Sequence, residues 1–315
     1  MTDTKSAMPV PTSTSYKSFD QILYTLYLFT KSDFKTIMFP VTTFAMSLAE
    51  KTTWSRVPLV AMWVWFELLG FNTANQTAGA SPDEDAINKP WRPVPAKRIT
   101  LENAKTLRHV LSCFNMCMAI VLHTVNATVG FEILTTLHND LHTSEHWFTK
   151  NAGTALLYCF MEFGATLVAD GSSTLTLNQT CGIIGSVIII CTTIHAQDFC
   201  DVDGDRASGR STFPIAYPET SRITMLTLPF LWSLVICLFS TAHVGVLAAL
   251  VASSVWISYR FYLIRNLEAD KASYLYYNIW LCLVHVSLGF VNVDAGLARI
   301  PAVLDATKRI MGMQF

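Results

Sequence analysis

The sequence predicts an all-α, polytopic membrane helical bundle with about nine transmembrane helices. Hydrophobic residues make up 51% of its 315 residues and charged residues only 14%, against about 25% charged residues in an average soluble domain. Apolar stretches of membrane-crossing length recur from about residue 34 to about residue 292. We therefore expect one catalytic membrane domain at 34–292, preceded by a polar tail and interfacial helix at 1–33 and followed by a C-terminal tail at 293–315.

The individual spans follow from windows of about 19 residues separated by polar breaks. The first span contains Pro40 and is short, and the fourth carries Glu132 and His138, so these two are the weakest. The segment from Ser18 to Phe29 suits either a helix in the membrane interface or a packed cap. The predicted spans are 34–50, 56–77, 106–125, 127–141, 151–169, 175–197, 222–241, 244–265 and 272–292.

Charge and cysteine usage exclude some classes of function. The chain has 22 basic and 23 acidic residues, so it lacks the basic excess that would recruit nucleic acid by counterion release. Most of the eight cysteines lie in apolar runs without paired metal-ligand spacing, which indicates packing residues. The first 20 residues lack the apolar core of a signal peptide, so the first span must direct insertion into the lipid bilayer.

Basic residues in the loops predict the orientation. Loops after the third, fifth and seventh spans hold no Lys or Arg, whereas those after the second, fourth, sixth and eighth hold many. The positive-inside rule then places the basic loops in the cytosol, and we expect a multi-pass protein of the endoplasmic reticulum. The basic loop residues are Lys89, Arg92, Lys97, Arg98, Lys150, Arg206, Arg210, Arg265 and Lys271.

An acidic segment follows the apolar run 183–194. Asp198, Asp201 and Asp205 are spaced i, i+3, i+7, which on a helix turns all three carboxylates onto one face. Carboxylates this close together repel each other unless a cation neutralises their charge. Ligands that are all oxygen favour magnesium, which uses a few carboxylates plus substrate phosphate oxygens. Asp203 points off this face and is either part of the site or merely solvated.

A second polar segment follows the second span. Asn72, Asn75 and Gln76 share one helical face, and amides within a membrane helix are costly unless they face a polar cavity or a partner. The next loop adds Arg92, whose guanidinium suits phosphate oxygens. Taken alone this segment could equally be a cap and turn, but the other acidic segment favours a site. Its further candidate metal ligands are Asp83, Glu84 and Asp85.

Together the two segments resemble the UbiA superfamily of intramembrane prenyltransferases. Members carry two aspartate-rich motifs, NDxxDxxxD and DxxDxxGD, at the ends of the second and sixth spans of a helical bundle. The run from Asp198 to Asp205 matches the second motif fully and is followed by the family's Gly-Arg-Ser-Thr turn at 209–212. In the first motif Asn75 matches, but Gln76 stands where Asp is usual and the run to Asp85 is longer than the pattern.

The resemblance implies a magnesium (Mg2+) cofactor, an isoprenoid diphosphate substrate and a set of site residues. Which of Asp83, Glu84 and Asp85 binds metal stays open, because the first motif is longer than usual. The implied catalytic residues are Asp85, Asp198, Asp201 and Asp205. The implied metal ligands are Asn75, Asp83, Asp85, Asp198, Asp201 and Asp205. The implied diphosphate-binding residues are Asn75, Arg92, Lys150 and Arg210.

The chemistry implied by these residues is cleavage of an allylic C–O bond, and the carbocation that forms must be kept from water. Aromatic ring faces attract cations, although aromatic residues of membrane helices more often pack or face lipid. Glu67 and Glu162 mark either the cavity or a helix-to-helix contact, and His195 makes either a polar contact or a proton transfer. The aromatic candidates are Trp63, Phe66, Phe114, Phe160, Phe163, Trp232, Tyr276, Tyr277 and Trp280.

Three functions are compatible with this pattern. A terpene cyclase is favoured, because the departure from the first motif and the segment Asn-Lys-Pro-Trp-Arg-Pro at 88–93 look more like the fungal cyclase branch of the family. Prenyl transfer to an aromatic or other acceptor is the main alternative. A non-enzymatic cation transporter is the third, and it would make the complete second motif a coincidence. The sequence predicts no oligomeric state.

Overall fold

The computed structural model describes residues 18–79, 81–141 and 143–310. Within these ranges the secondary structure is helical apart from two isolated bridges, His146 with Ser211 and Ser240 with Val291. The α-helices are α1 Phe19–Thr30, α2 Phe39–Leu48, α3 Val57–Thr77, α4 Ser81–Asn88, α5 Leu101–Val121, α6 Val125–Asn139, α7 Trp147–Asp170, α8 Leu177–Thr193, α9 Val202–Ala207, α10 Phe213–Ala216, α11 Pro218–Phe239, α12 Val244–Leu263, α13 Leu267–Leu288 and α14 Val293–Ile310.

The predicted polytopic membrane helical bundle is confirmed. Each of the nine predicted spans has a counterpart among the described helices, namely α2, α3, α5, α6, α7, α8, α11, α12 and α13. The helices α2 and α6 are short, while α5 and α13 are long enough but more polar. Among the described residues, five helices are long and apolar enough to cross a membrane by themselves: Trp54–Thr77, Trp147–Asp170, Leu177–Cys200, Pro218–Phe239 and Val244–Leu263.

Local sequence explains where the central helices begin and end. Thr176 and Gln179 form a capping box at the start of α8, which satisfies two backbone groups that the first turn would leave unpaired. Gly171 ends α7 with a φ of +64°, a left-handed conformation that glycine adopts without the steric cost of a Cβ. Between these caps α7 packs against α2, α3, α6 and α8, so it lies at the centre of the bundle.

Three of the nine aromatic candidates are packing residues of this core. Trp63, Tyr277 and Trp280 are fully buried. The Trp63 indole donates to Thr124 Oγ1 at 3.1 Å and the Trp280 indole donates to Ser233 Oγ at 3.0 Å. Each ring therefore fills space between helices and has its polar atom satisfied, as buried tryptophans usually do.

The close packing of α3 on α7 requires a glycine. A Cβ placed at Gly164 would overlap the ring of Trp63, so we expect Gly164→Ala to lower stability by about 1–3 kcal/mol, the usual cost of overpacking. The control is Gly185→Ala in α8, where the added Cβ would meet only the end of the Leu288 side chain at 3.4 Å. Thermal unfolding in detergent measures both, and equal melting temperatures would contradict the expectation.

The two terminal helices both pack on the bundle. On α1 the inner residues Leu28 and Phe29 are buried against α3, whereas Phe19 and Ile22 are exposed. The segment from Ser18 to Phe29 therefore has features of both alternatives: an exposed apolar face, as in an interfacial helix, and a face packed on the bundle, as in a cap. At the other end α14 packs against α11, and the Arg299 side chain donates to the carbonyl oxygens of Leu238 and Ser240 at 3.0 and 2.9 Å.

Candidate active site

Both acidic segments open onto one cavity of about 480 Å³, which is within the range of about 300–1,000 Å³ typical of small-molecule sites. It lies where the end of α3, α4 and the start of α7 meet the segment after α8 and the start of α13. The polar and charged lining residues are Asp33, Thr36, Asn72, Asn75, Glu84, Asp85, Lys89, Arg92, His138, Ser144, Lys150, Thr154, Gln197, Asp198, Asp201, Asp203, Asp205, Arg210, Lys271 and Tyr274.

The second acidic motif is not the continuous α-helix that its spacing suggested. Ile194–Cys200 forms a 3₁₀ helix, and a break at Asp201 precedes α9. All of its aspartates nevertheless line the cavity. Asp198 and Asp205 are buried, with 1% and 3% of their surface exposed, whereas Asp201 is exposed. Asp203 also lines the cavity, with an almost fully exposed side chain that pairs with Arg206.

A largely buried lysine bridges the two buried aspartates of this motif. Lys150 Nζ, on the first turns of α7, lies 2.7 Å from Asp198 Oδ1 and 3.7 Å from Asp205 Oδ2. Arg210 lies on the other side, 3.4 Å from Asp205 Oδ1 and 3.1 Å from Glu84 Oε2. Glu84 and Arg210 thus join the first acidic segment to the second. Positive charge offsets the repulsion between the carboxylates.

The first acidic segment is divided between the cavity and solvent. Asp85 accepts from Arg92 Nη1 at 2.7 and 2.8 Å, and both side chains are buried. Asp85 and Glu84 line the cavity. Asp83 is exposed and is not a lining residue, because α4 turns its side chain outward. Its position gives no support to the predicted role of Asp83 as a metal ligand.

Only two of the three amide side chains of α3 line the cavity. Asn75 lines the cavity and donates to Asn139 Oδ1 at 2.9 Å. Gln76 instead donates to the carbonyl oxygen of Phe29 at 2.9 Å and does not line the cavity. Gln76, which stands where the family usually has Asp, therefore connects α3 to α1 through this hydrogen bond. The three amides lie on one side of the helical α3 as expected, but only Asn72 and Asn75 line the cavity.

The donor atoms fit a magnesium ion. Asp198 Oδ2 and Asp205 Oδ2 are buried and have no hydrogen-bond partner among the described residues. The described part of the chain holds no ready cluster of three His, Cys, Asp or Glu side chains, since Lys150 and Arg210 lie among these carboxylates. Carboxylate oxygens with unused acceptor capacity, together with the Asn75 amide of the same cavity, match the preference of magnesium for oxygen ligands.

Apolar and aromatic residues also line the cavity, and the aromatic ones differ from those we expected. None of the nine aromatic candidates lines the cavity. Phe71 precedes Asn75 by one turn of α3, and Tyr158 follows Lys150 by two turns of α7. These helical spacings from the motif residues could have predicted that Phe71 and Tyr158 line the cavity. The apolar and aromatic lining residues are Ile37, Phe71, Phe131, Leu157, Tyr158, Met161, Ile194, Leu267 and Tyr274.

The buried acids of the spans lie between helices and away from the cavity. Glu67 Oε1 accepts from Thr128 at 2.6 Å. Glu162 Oε1 accepts from Ser186 at 2.7 Å and lies 3.2 Å from His285 Nε2. These contacts join α3 to α6, and α7 to α8 and α13. Of the two roles left open for Glu67 and Glu162, the helix-to-helix contact is the one observed.

Two histidines, His195 and His138, complete the picture of the polar residues. His195 Nε2 lies 3.3 Å from the Ser221 carbonyl oxygen and 3.1 Å from Thr224 Oγ1, which is a satisfied polar contact outside the cavity. His138 lines the cavity beside the Phe71 ring, and its Nδ1 is buried without a hydrogen-bond partner among the described residues. Sequence reasoning missed His138 as a site residue because it treated the residue only as an interruption of a weak span.

Comparison with known proteins identifies related chains. Residues 37–282 match the model of the UbiA prenyltransferase family. The fumagillin beta-trans-bergamotene synthase af520 of Aspergillus fumigatus is 31% identical over 261 residues, 82% of this chain and 89% of that protein. The diterpene cyclase eriG of Hericium erinaceus is 28% identical over 284 residues, 84% of this chain and 87% of that protein.

A solved structure shares the fold. A UbiA homolog from Archaeoglobus fulgidus, solved bound to GPP and Mg2+, aligns with a TM-score of 0.61 and 11% sequence identity, covering 84% of this chain and 99% of that one. At this level of identity the likeness concerns the arrangement of helices. The same helical bundle has therefore been observed in a protein that holds a prenyl diphosphate and a metal.

Proposed function

Because this chain belongs to the UbiA prenyltransferase family, we propose that it is a magnesium-dependent membrane terpene cyclase. In this proposal it ionises a polyprenyl diphosphate such as farnesyl diphosphate, releases diphosphate and cyclises the carbocation. The observation that carries the proposal is one cavity that is lined both by carboxylates and cations of the two motifs and by apolar and aromatic side chains. The relatives named as synthase and cyclase support cyclisation in particular.

The charged side chains of the cavity bind the diphosphate. Lys150, Arg92 and Arg210 place three positive charges there, and each is oriented by a carboxylate within 3.4 Å. Arginine matches phosphate geometry with paired N–H groups, while lysine acts as a compact charge. Charge that is already positioned in a water-poor site stabilises the negative charge that develops on the leaving group.

Magnesium would be held by oxygen atoms of both motifs. The residues we propose as its ligands are Asn75, Asp85, Asp198, Asp201 and Asp205, all of which line the cavity. When bound, magnesium supplies Lewis-acid neutralisation of the diphosphate oxygens. Asp198 Oδ2 and Asp205 Oδ2 are the atoms with unused acceptor capacity.

The apolar side chains of the cavity receive the hydrocarbon. When the allylic C–O bond breaks, its electron pair leaves with the diphosphate and the prenyl chain becomes a cation. Phe71, Phe131 and Tyr158 line the cavity, and aromatic rings would attract that cation. Met161 and Ile194 add apolar surface that keeps water away, so that an internal double bond of the chain attacks the cation and closes a ring.

Prenyl transfer to an aromatic or other acceptor is the alternative, because the matched family is described as prenyltransferases. In either case we propose a catalytic domain at 34–292 in the lipid bilayer, with no nucleic-acid partner. The distribution of basic loop residues supports a cavity that opens to the cytosol, and we propose the endoplasmic reticulum as the membrane.

The proposal is tested without any acceptor. The detergent-solubilised full chain is incubated with magnesium and farnesyl or geranylgeranyl diphosphate, and the organic extract is analysed by gas chromatography with mass detection. We expect a cyclic hydrocarbon or alcohol that is missing from reactions with a chelator. If both substrates stay intact, or yield only linear alcohols, the cyclase proposal fails and prenyl acceptors are screened.

The two aspartates of α4 provide a matched pair of variants. We expect Asp83→Asn to leave diphosphate release within about twofold of the wild type, since an exposed charge contributes little. Asp85→Asn should lower release about a hundredfold, because it removes a buried charge that lines the cavity and is held by Arg92. Initial rates with farnesyl diphosphate measure both variants. Equal losses of rate would contradict the conclusion that Asp85 faces the cavity and Asp83 faces solvent.

A further inference from the structure

A carboxylate outside both acidic motifs lines the cavity. Asp33 lies between α1 and α2, where a 3₁₀ turn, Lys31–Asp33, leads into a π-helix, Phe34–Met38. Turns of π-helix are rare and often occur at functional sites. Here the segment brings Asp33, Thr36 and Ile37 to the cavity. The cavity thus includes a residue that precedes the predicted catalytic domain.

Neighbouring donors hold the Asp33 carboxylate in place. Asn72 Nδ2 donates to Asp33 Oδ2 at 2.9 Å, and Ser32 Oγ donates to the same oxygen at 3.1 Å. Thr36 Oγ1 donates to Asp33 Oδ1 at 3.4 Å. Both oxygens accept hydrogen bonds, so the orientation of the carboxylate is fixed. Asn72 is 3% exposed, so the donor that orients Asp33 is itself fixed by the bundle.

The surroundings of Asp33 differ from those of the buried motif aspartates. Asp85, Asp198 and Asp205 each pair with Lys or Arg, whereas Asp33 forms no ion pair within the described ranges. Lys35 is close in sequence but lies over the ring of Tyr274 at 5.7 Å. The negative charge of the Asp33 carboxylate therefore faces the cavity without a paired cation among the described residues.

The depth of Asp33 places it towards the hydrocarbon. Asn72 lies one turn from Asn75, about 4.5 Å further into α3 from the motif end. The opposite wall follows α7 from Lys150 to Tyr158, about 12 Å along the helix axis. Tyr158 donates its hydroxyl hydrogen to the carbonyl oxygen of Thr36. Asp33 and Tyr158 both contact Thr36 of the π-helical segment, and their partners on α3 and α7 lie further along these helices than Asn75 and Lys150.

We propose that Asp33 is the base that ends the cyclisation, an inference that rests on the proposed cyclase function. The carbon next to the cationic centre loses a proton to Asp33, and the electron pair of that C–H bond becomes the new C=C bond. The cation is thereby neutralised as an olefin, and Asp33 becomes a carboxylic acid. Its proton passes to water when the product leaves, which restores the carboxylate.

The test separates ionisation from termination. Asp33→Asn keeps the size of the side chain and an oxygen to accept from Asn72, but it removes the base. With magnesium and farnesyl diphosphate we expect diphosphate release to stay within about threefold of the wild type, while cyclic olefin per diphosphate released falls about a hundredfold, a usual contribution of a positioned base. Alcohols formed by water capture, or olefins deprotonated elsewhere, should replace the lost product.

Two further variants make the result decisive. Asp20→Asn makes the same charge change at an exposed position of α1 and should leave the product profile unchanged. Asp33→Glu restores a carboxylate and should recover part of the olefin yield. An unchanged olefin yield in Asp33→Asn, or an equal loss of diphosphate release and olefin, overturns the inference. A wild-type chain that releases no diphosphate without an acceptor instead defeats the proposed cyclase function, independently of Asp33.

Discussion

Asp198→Asn is expected to lower the rate of diphosphate release about a thousandfold while the bundle stays folded. Asp198 is 1% exposed, and its Oδ2 has no hydrogen-bond partner among the described residues. Asparagine keeps the size of the side chain but removes the charge that a metal ion would require. The loss of a preorganised electrostatic contact typically costs about 10²–10³ in rate, and this variant also loses the partner that orients Lys150.

Rates of diphosphate release from farnesyl diphosphate measure this effect, and size-exclusion chromatography in detergent reports folding. The control is Asp203→Asn in the same motif, because Asp203 is 96% exposed and pairs only loosely with Arg206 at 3.6 Å. An exposed pair contributes little, so this control should stay within about twofold of the wild type. A well-folded Asp198→Asn protein with the full rate would refute the assignment of this motif.

Lys150→Met is expected to reduce both activity and stability. It removes the cation that lies 2.7 Å from Asp198 and 3.7 Å from Asp205. Removal of one partner from a buried ion pair typically costs about 3–5 kcal/mol, because the other charge stays buried without compensation. The diphosphate also loses a fixed positive charge, so we expect a loss of release rate of about a hundredfold or more.

Two companion variants separate these effects. Lys150→Arg keeps the charge and should retain much of the stability, with a reduced rate because the guanidinium has a different shape. The double variant of Lys150→Met with Asp198→Asn removes both charges, so its stability should exceed that of Lys150→Met alone. Thermal unfolding of the wild type, Lys150→Met, Asp198→Asn and the double variant gives the coupling between the two sites. Additive losses of stability would show that the ion pair has no structural role.

Sequence analysis predicted the bundle and the acidic part of the site because both follow from local composition. Long apolar stretches predict membrane helices in any context, and a run such as Asp198 to Asp205 at a membrane exit requires compensating charge whatever the fold. The roles assigned to Asn75, Arg92, Lys150 and Arg210 remain predictions. Their common position around one cavity is what the structure adds to the motif match.

Other parts of the site could not be inferred from spacing. Glu84 and Arg210 are separated by 126 positions in the chain and meet at 3.1 Å. Gln76 points to the carbonyl of Phe29 because α1 packs there, and Asp33 reaches the cavity through a π-helical turn. These contacts depend on how separate helices pack, and no single stretch of sequence contains that information.

The amino-acid sequence by itself determined the fold class, the positions of the membrane helices and the two clusters of carboxylates. The tertiary structure decided which side chains face the cavity, and its selection of Phe71 and Tyr158 over Trp63 and Trp280 is the plainest case. The physical reason is that a bilayer is as apolar as a protein core. Lipid-facing and core-facing residues are then equally hydrophobic, so the periodicity that orients a helix in water is lost.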